Sequence, residues 1–403
     1  MKKKEKKWVR FRHRVVRNIA YAVIGTYVKL KYRVKINKFK NKEKRQFLVV
    51  MNHQTAVDQF LVGMAFKGPI YYVTSEDLFS NGCVSKLLRW AVAPIPIKKQ
   101  ATDTRAVLNC MRVAKEGGTI ALFPEGNRTY SGKTEYIKPA IVGLVKALKL
   151  PVAIMQITGG YGAHPRWSDK VRKGKLQVGV TKVLEWEDYS KLSDDELYKT
   201  LCEGLSVNDC YTPGEYKGKG LAEYLERAIY VCPQCKLSSF HTDKDMIACK
   251  KCGLSARYLP NKQLEGVNGE FPFKYTYEWY DYQSEFINSL DVTALVDEPI
   301  YTDKTALYEV ALYEKKRCLS ESIILSLYGN RIEADTGTER FVLPFDKVRA
   351  VTVLGRNKLN IYYENSVYQV KGEARFNALK YVQIFYRYQN IIKGDENGKF
   401  LGL

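Results

Sequence analysis

Three short, unbroken apolar runs organise the first half of the chain. Phe47–Met51, Thr119–Phe123 and Val152–Ile157 have the length and composition of strands buried on both faces. Glu116-Gly117-Gly118 stops a helix just ahead of the second run, and Pro151 opens the third. Between the runs, Ala101–Ala114 and Ala140–Leu148 carry helical spacing. This rhythm predicts an α/β domain with a mostly parallel sheet, running to about Tyr230. Tyr211–Gly220 reads as a loop before a short helix, Leu221–Ile229. Farther on, Leu307–Gln369 alternates apolar and polar positions over short runs separated by Gly and Asn, the pattern of antiparallel strands. Ala374–Ile392 then places Phe376, Leu379, Val382 and Tyr386 on one helical face.

Charge changes the picture at one end only. The 403 residues carry a formal charge of +22, and residues 1–46 hold 18 basic and 2 acidic side chains. Most of the excess is therefore N-terminal, around an apolar run from Val15 to Ile24 that Arg17 and Asn18 interrupt. A secretory signal fits badly, because no small-residue cleavage site follows. A spanning helix needs about 18 to 20 uncharged residues, and only Asn18–Val28 is free of charge. Basic flanks around a short apolar segment favour a helix lying in the plane of an anionic membrane surface. A core helix with a solvated basic tail and a nucleic-acid arm are the alternatives, and no nucleic-acid partner is expected.

The candidate chemistry sits at two strand exits. Asn52-His53-Gln54-Thr55-Ala56-Val57-Asp58 follows the first run, and Pro124-Glu125-Gly126-Asn127-Arg128-Thr129 follows the second. On one continuous helix His53 and Asp58 would stand about 140° apart. They can meet if His53 stays in the loop and Asp58 enters the first turn of a helix, with Thr55 as a plausible N-cap. Taken alone, Thr55-x-x-Asp58 also reads as a capping arrangement around a structural histidine. Glu125 with Arg128 alone also reads as a surface ion pair. Ligands of α/β sheets bind outside the carboxyl ends of strands, so both loops are expected to border one crevice.

These residues resemble the glycerolipid acyltransferase family, whose best-known members are the 1-acyl-glycerol-3-phosphate (lysophosphatidic acid) acyltransferases. The resemblance lies in His53-x4-Asp58, in Phe123-Pro-Glu-Gly-Asn-Arg-Thr129, and more loosely in Ala93-Pro-Ile-Pro-Ile-Lys98-Lys99, Tyr136–Ala140 and Leu150–Ile154. It covers roughly residues 15–229. Asn127 stands where the family usually has Thr, and Lys98 and Lys99 where Arg is usual; lysine binds phosphate as a point charge, without the guanidinium fork. The resemblance implies acyl transfer to a lysophospholipid hydroxyl, with acyl-CoA or acyl-carrier protein as donor and phosphatidic acid as product. His53 and Asp58 are then the catalytic pair, and Lys98, Lys99, Glu125, Gly126 and Arg128 bind substrate. Another lysophospholipid or glycerol acceptor, or a non-catalytic lipid-binding scaffold, are the competing readings. The expected location is the cytoplasmic face of a membrane, peripheral or monotopic.

Four of the nine cysteines form Cys232-Pro-Gln-Cys235 and Cys249-Lys-Lys-Cys252, with thirteen residues between the pairs. This is the sequence form of a zinc ribbon, in which metal binding supplies the folding energy that so short a segment lacks. Iron in place of zinc, or redox-active pairs, are the alternatives. The expected organisation is a basic membrane-anchoring segment (1–46), the acyltransferase domain (47–230), a structural zinc ribbon (231–258), and a linker helix with a mainly-β domain (259–403). The last resembles the pleckstrin-homology/GRAM-like fold in its strands and closing helix.

Overall fold

The computed structural model describes residues 7–41, 43–79, 82–97, 103–311, 314–395, 398 and 400–402. The chain divides into two compact units, one of residues 1–165 with 171–216 and the other of 166–170 with 217–403.

The first unit is built on seven strands: β1 (Val34–Ile36), β2 (Leu48–Met51), β3 (Ile70–Ser75), β4 (Ile95–Ile97), β5 (Thr119–Leu122), β6 (Val152–Thr158) and β7 (Leu176–Leu184). They lie in the order β1-β7-β6-β2-β5-β3-β4. Every pairing is parallel except β6 with β7. The apolar runs become the central strands because both faces need covering. Leu48 and Val50 join a core with α5 (below), whereas Val49 and Met51 join a second core on the opposite face. The helices are α1 (Phe11–Ala20), continued by a π-helical turn at Tyr21–Gly25 into α2 (Thr26–Tyr32), then α3 (Asp58–Ala65), α4 (Cys83–Ala91), α5 (Thr104–Lys115) and α6 (Ala140–Leu148). Residues 101 and 102, expected at the start of α5, lie outside the described residues, as does the basic tail at 1–6.

The topology creates a switch point. From β2 the chain crosses past β5 to β3, and from β5 it crosses past β2 to β6. The two connections leave adjacent strand ends in opposite directions, which is where open α/β sheets form a crevice.

In the second unit, short antiparallel strands carry the cysteine pairs: β8 (Val231–Cys232), β9 (Lys236–Leu237), β10 (Phe240–Asp243), β11 (Met246–Cys249), β12 (Ser255–Tyr258) and β13 (Leu264–Gly266). A seven-stranded antiparallel sheet follows: β14 (Tyr301–Glu309), β15 (Arg317–Leu327), β16 (Arg331–Asp335), β17 (Arg340–Pro344), β18 (Val348–Leu354), β19 (Lys358–Tyr363) and β20 (Ser366–Gly372). Its order, β17-β16-β15-β14-β20-β19-β18, and the closing helix Leu379–Ile392 agree with the expected mainly-β domain. Two expectations are corrected. Leu221–Ile229 is a set of turns with a 3₁₀ segment at Leu225–Arg227, because Glu226 and Arg227 spend their side chains on long-range partners. The last helix begins at Leu379 rather than Ala374, after the Glu373–Phe376 turn.

Candidate active site and metal centre

His53 leaves β2 in an extended loop, and α3 starts at Asp58, its first helical residue. Thr55 is not the N-cap; Val57 occupies that position without a side-chain cap. The Thr55 hydroxyl instead donates to Asp58 Oδ1. The amides of Gln54 and Thr55 donate to Asp58 Oδ2 at 2.7 and 2.9 Å, and His53 Nδ1 lies 2.8 Å from the same oxygen. Asp58 is fully buried and the His53 side chain keeps 19% of its exposure. A carboxylate held by this many donors cannot swing, so it fixes the imidazole it faces. The Phe123 ring stacks on the imidazole, with centroids 4.2 Å apart and planes 20° from parallel.

The second loop is stitched to the first through Glu125. Its Oε1 accepts from the His53 amide at 2.6 Å, and its Oε2 from the Glu135 amide at 2.8 Å. The Thr129 amide donates to the His53 carbonyl at 3.0 Å, closing a second strut. Burial pushes the Glu125 carboxyl well above the usual carboxylate range, against the pull of the two amide donors. Gly126 makes the turn with a φ of +71°, in the left-handed region that a β-carbon disfavours. Arg128 stands two residues farther along the same loop and is half-buried. Lys98 and Lys99 lie outside the described residues. The structure thus brings His53, Asp58, Glu125, Gly126 and Arg128 to one end of the sheet.

Sequence reasoning passed over the supports. Asn52 closes the end of β2 with its side chain: Ile157 N donates to its Oδ1 at 2.8 Å, and its Nδ2 donates to Ile157 O at 3.0 Å. Gln54 Oε1 accepts from the amides of Gly160 and Tyr161 at 3.0 and 3.2 Å. Both are polar residues next to a strand exit, which was the available signal. The stacking of Phe123 had none, since its apolar run already accounted for it.

In the second unit the sulfurs of Cys232, Cys235, Cys249 and Cys252 all lie within 4.8 Å of one another. Cys232 Sγ and Cys252 Sγ are 3.7 Å apart, close to the edge of about 3.8 Å of a tetrahedron with zinc–sulfur bonds near 2.3 Å. The Ser238 hydroxyl lies 3.1 Å from Cys249 Sγ, as an outer-shell donor to a thiolate would. Gly253, at φ +79°, turns the second knuckle and donates its amide to Cys249 O. The four residues fit a tetrahedral thiolate-bound metal.

Comparison with known proteins finds similarity over the first part of the chain. The model of the Acyltransferase family matches residues 33–158. The 1-acyl-sn-glycerol-3-phosphate acyltransferase of Bacillus subtilis is 22% identical over 161 residues, covering 40% of this chain and 77% of that protein. A Limnanthes douglasii protein of the same name is 23% identical over 168 residues, covering 39% of this chain and 57% of its own length. The crystal structure of the 1-acyl-sn-glycerophosphate (LPA) acyltransferase of Thermotoga maritima is 24% identical, covers 47% of this chain and 78% of its own, and superposes with a TM-score of 0.39. Residues 33–158 thus match the acyltransferase family, and the relatives found over this part of the chain carry the name 1-acyl-sn-glycerol-3-phosphate acyltransferase.

Proposed function

We propose that the protein moves a fatty-acyl chain from acyl-CoA or acyl-carrier protein to the free hydroxyl of 1-acyl-glycerol 3-phosphate, giving phosphatidic acid. An alcohol is a weak nucleophile at neutral pH, so a base must take its proton during attack on the thioester carbonyl. His53 is that base: Nδ1 faces Asp58, which sets the tautomer and stabilises the imidazolium. The tetrahedral adduct then collapses, the carbon–sulfur bond breaks, and the imidazolium returns the proton to the departing thiolate. Atoms and charge balance without an enzyme nucleophile. Glu125 is a positioning residue on this reading, since both its oxygens hold backbone amides. Arg128, with Lys98 and Lys99, takes the acceptor phosphate. Zinc held by Cys232, Cys235, Cys249 and Cys252 serves as a structural clasp and takes no part in the chemistry.

The N-terminal helices support a membrane surface as the workplace. Phe11, Val15, Ile19, Val23, Tyr27 and Leu30 are exposed. The first five are spaced by four, which drifts about 40° per step on an α-helix, and the wider π-helical turn at Tyr21–Gly25 takes up part of that drift. Val84, Leu87 and Trp90 of α4 are exposed as well. The Trp8 indole donates to Ala93 O at 2.9 Å, and Arg12 Nε to Trp90 O at 3.0 Å, which ties α4 to α1. Apolar side chains of two joined helices, with Arg10, Arg14, Lys29 and Lys31 on α1–α2 and just before them, suit immersion in an anionic interface. Among the described residues no helix is long and apolar enough to cross a membrane.

The observation that carries the reading is the His53–Asp58 pair at the β2/β5 switch point, clamped by Glu125. A panel of lysolipids incubated with labelled acyl-CoA and acyl-carrier protein tests it. Labelled phosphatidic acid is the expected product; label in another lysolipid alone would redirect the acceptor, and no label in any would remove the enzyme.

A further inference from the structure

The helix that carries the exposed side chains of Ile19 and Val23 turns its other face onto α3, the helix that begins at Asp58. Arg14 of α1 is exposed, whereas Arg17 is half-buried and points inward. Arg17 Nη2 donates to Gly63 O and to Phe66 O, both at 2.8 Å. Those carbonyls lie at the C-terminal end of α3, where they lack intrahelical donors and where a cation suits the helix dipole. Among the described residues the Arg17 Nε is buried and unpaired, a cost that a surface role for the charge would not require. Tyr21, four residues on, lies beneath the guanidinium, with Arg17 Cζ 4.7 Å from its ring centroid. The Tyr21 hydroxyl donates to Gln59 O at 3.4 Å, and the Tyr72 hydroxyl of β3 donates to the same oxygen at 2.5 Å. Gln59 is the chain neighbour of Asp58. A β-carbon at Gly63 would stand 1.6 Å from the Tyr21 hydroxyl oxygen, so a glycine there is what lets the hydroxyl reach the backbone of α3.

α3 is eight residues long, too short to hold its own place, so its seat comes from its neighbours. Leu61, Val62 and Ala65 supply the apolar part of that seat. Apolar burial is non-directional and does little to stop a short helix from sliding along its axis. The bonds from Arg17 and Tyr21 are directional and reach both ends of α3, its last carbonyls and the residue beside Asp58. The amides of Gln54 and Thr55 orient the Asp58 carboxylate within its own loop, whereas its distance from the imidazole also depends on where α3 sits. We propose that Arg17 and Tyr21 are positioning residues for the His53–Asp58 pair, holding α3 where the carboxylate meets Nδ1 of the imidazole at 2.8 Å. Both act through α3 rather than on substrate. The kinetic consequence rests on the acyl-transfer reading; the effect on the imidazole does not.

The test uses the full chain and three variants. Arg17→Met keeps the aliphatic stem and loses the donors, Arg17→Lys restores a charged donor, and Tyr21→Phe loses only the hydroxyl. Folding is verified by melting curves, and Tyr21→Phe carries the same test should Arg17→Met fail to fold. The first readout is NMR of isotope-labelled histidine, which reports the imidazole nitrogen that carries the proton; the chain has four histidines, and His53→Ala identifies the signal. Wild type should hold the proton on Nδ1, opposite the carboxylate. Arg17→Met should move the His53 signals toward a mixture of tautomers, and Arg17→Lys should return them. A guanidinium that only stabilised α3 would lower the melting temperature and leave the spectrum of the folded protein unchanged. The second readout is steady-state transfer to 1-acyl-glycerol 3-phosphate at vesicle concentrations that sedimentation shows to bind all of the enzyme. Displacing the carboxylate by about 1 Å should lower kcat by roughly 10–10²-fold with KM unchanged, far beyond the unfolded fraction given by the melting curve. If wild type transfers no acyl group, the acyl-transfer reading falls and the imidazole spectrum decides the proposal by itself. Wild-type His53 signals in Arg17→Met and Tyr21→Phe overturn it, as does a folded Arg17→Met enzyme with wild-type kcat.

Discussion

Asp58 answers to the amides of Gln54 and Thr55, the Thr55 hydroxyl and His53 at once, and that concentration of donors makes it sensitive to a change of one atom. Asp58→Asn puts an NH2 group among donors. Leaving a buried donor unpaired costs about 1–3 kcal/mol, and misdirecting the imidazole tautomer should lower kcat by roughly 10²–10⁴-fold. Thermal melts and steady-state rates on the same variant separate the two effects. Glu125 gives a pH signature. Burial raises its pKa above 4.5, so the folded chain holds that proton more tightly than the unfolded chain. Its contribution is therefore complete at pH values below about 4.5 and is lost as pH rises through the higher folded value. Denaturant titrations across that window should show wild-type stability falling with pH and a flatter profile for Glu125→Gln. The variant should also be less stable throughout, because a carboxamide cannot accept from both the His53 and Glu135 amides.

At the scale of elements, the α/β rhythm and the two loops were legible because strand exits, Gly turns and charged residues leave local marks. Phe47–Met51 reads as a buried strand from composition alone, and β2 is buried throughout. What was not legible depends on contacts distant in sequence. The Thr55 hydroxyl could as well have capped a helix as bonded Asp58, and only the entry angle of α3 decides. Leu221–Ile229 has helical spacing, but Arg227 donates to Trp167 O at 2.8 Å and Ala374 O at 2.6 Å, and those bonds hold the chain in turns. The apolar stripe of α1–α2 was visible as a greasy segment, whereas its association with α4 was not. Replacing Ile19 and Val23 by Ser should lower partitioning into anionic vesicles by more than tenfold, since each buried aliphatic side chain contributes about 1.5–3 kcal/mol. Both are exposed, so the melting temperature should barely move. Sedimentation and calorimetry check the pair of outcomes.

For the whole molecule, the cysteine cluster and the sheet that follows it belong to one unit. The Trp279 indole donates to Val231 O at 2.8 Å, one residue from Cys232, and its ring packs on Phe240. Stripping the metal with a strong chelator should therefore loosen this segment and shift Trp279 emission to the red, with zinc appearing in the chelate. Unchanged emission after complete metal loss would show that packing alone holds the ribbon. The deeper claim concerns the first unit, where an imidazole, fixed by a buried carboxylate and a stacked phenyl ring, deprotonates a lipid alcohol at the sheet's switch point. Single-turnover transfer of labelled acyl groups to 1-acyl-glycerol 3-phosphate by His53→Ala, with folding verified by its melting curve, tests that claim most directly. The account predicts a folded protein whose transfer rate is down by roughly 10²–10⁴-fold; a folded variant that transfers acyl groups at the wild-type rate would contradict it.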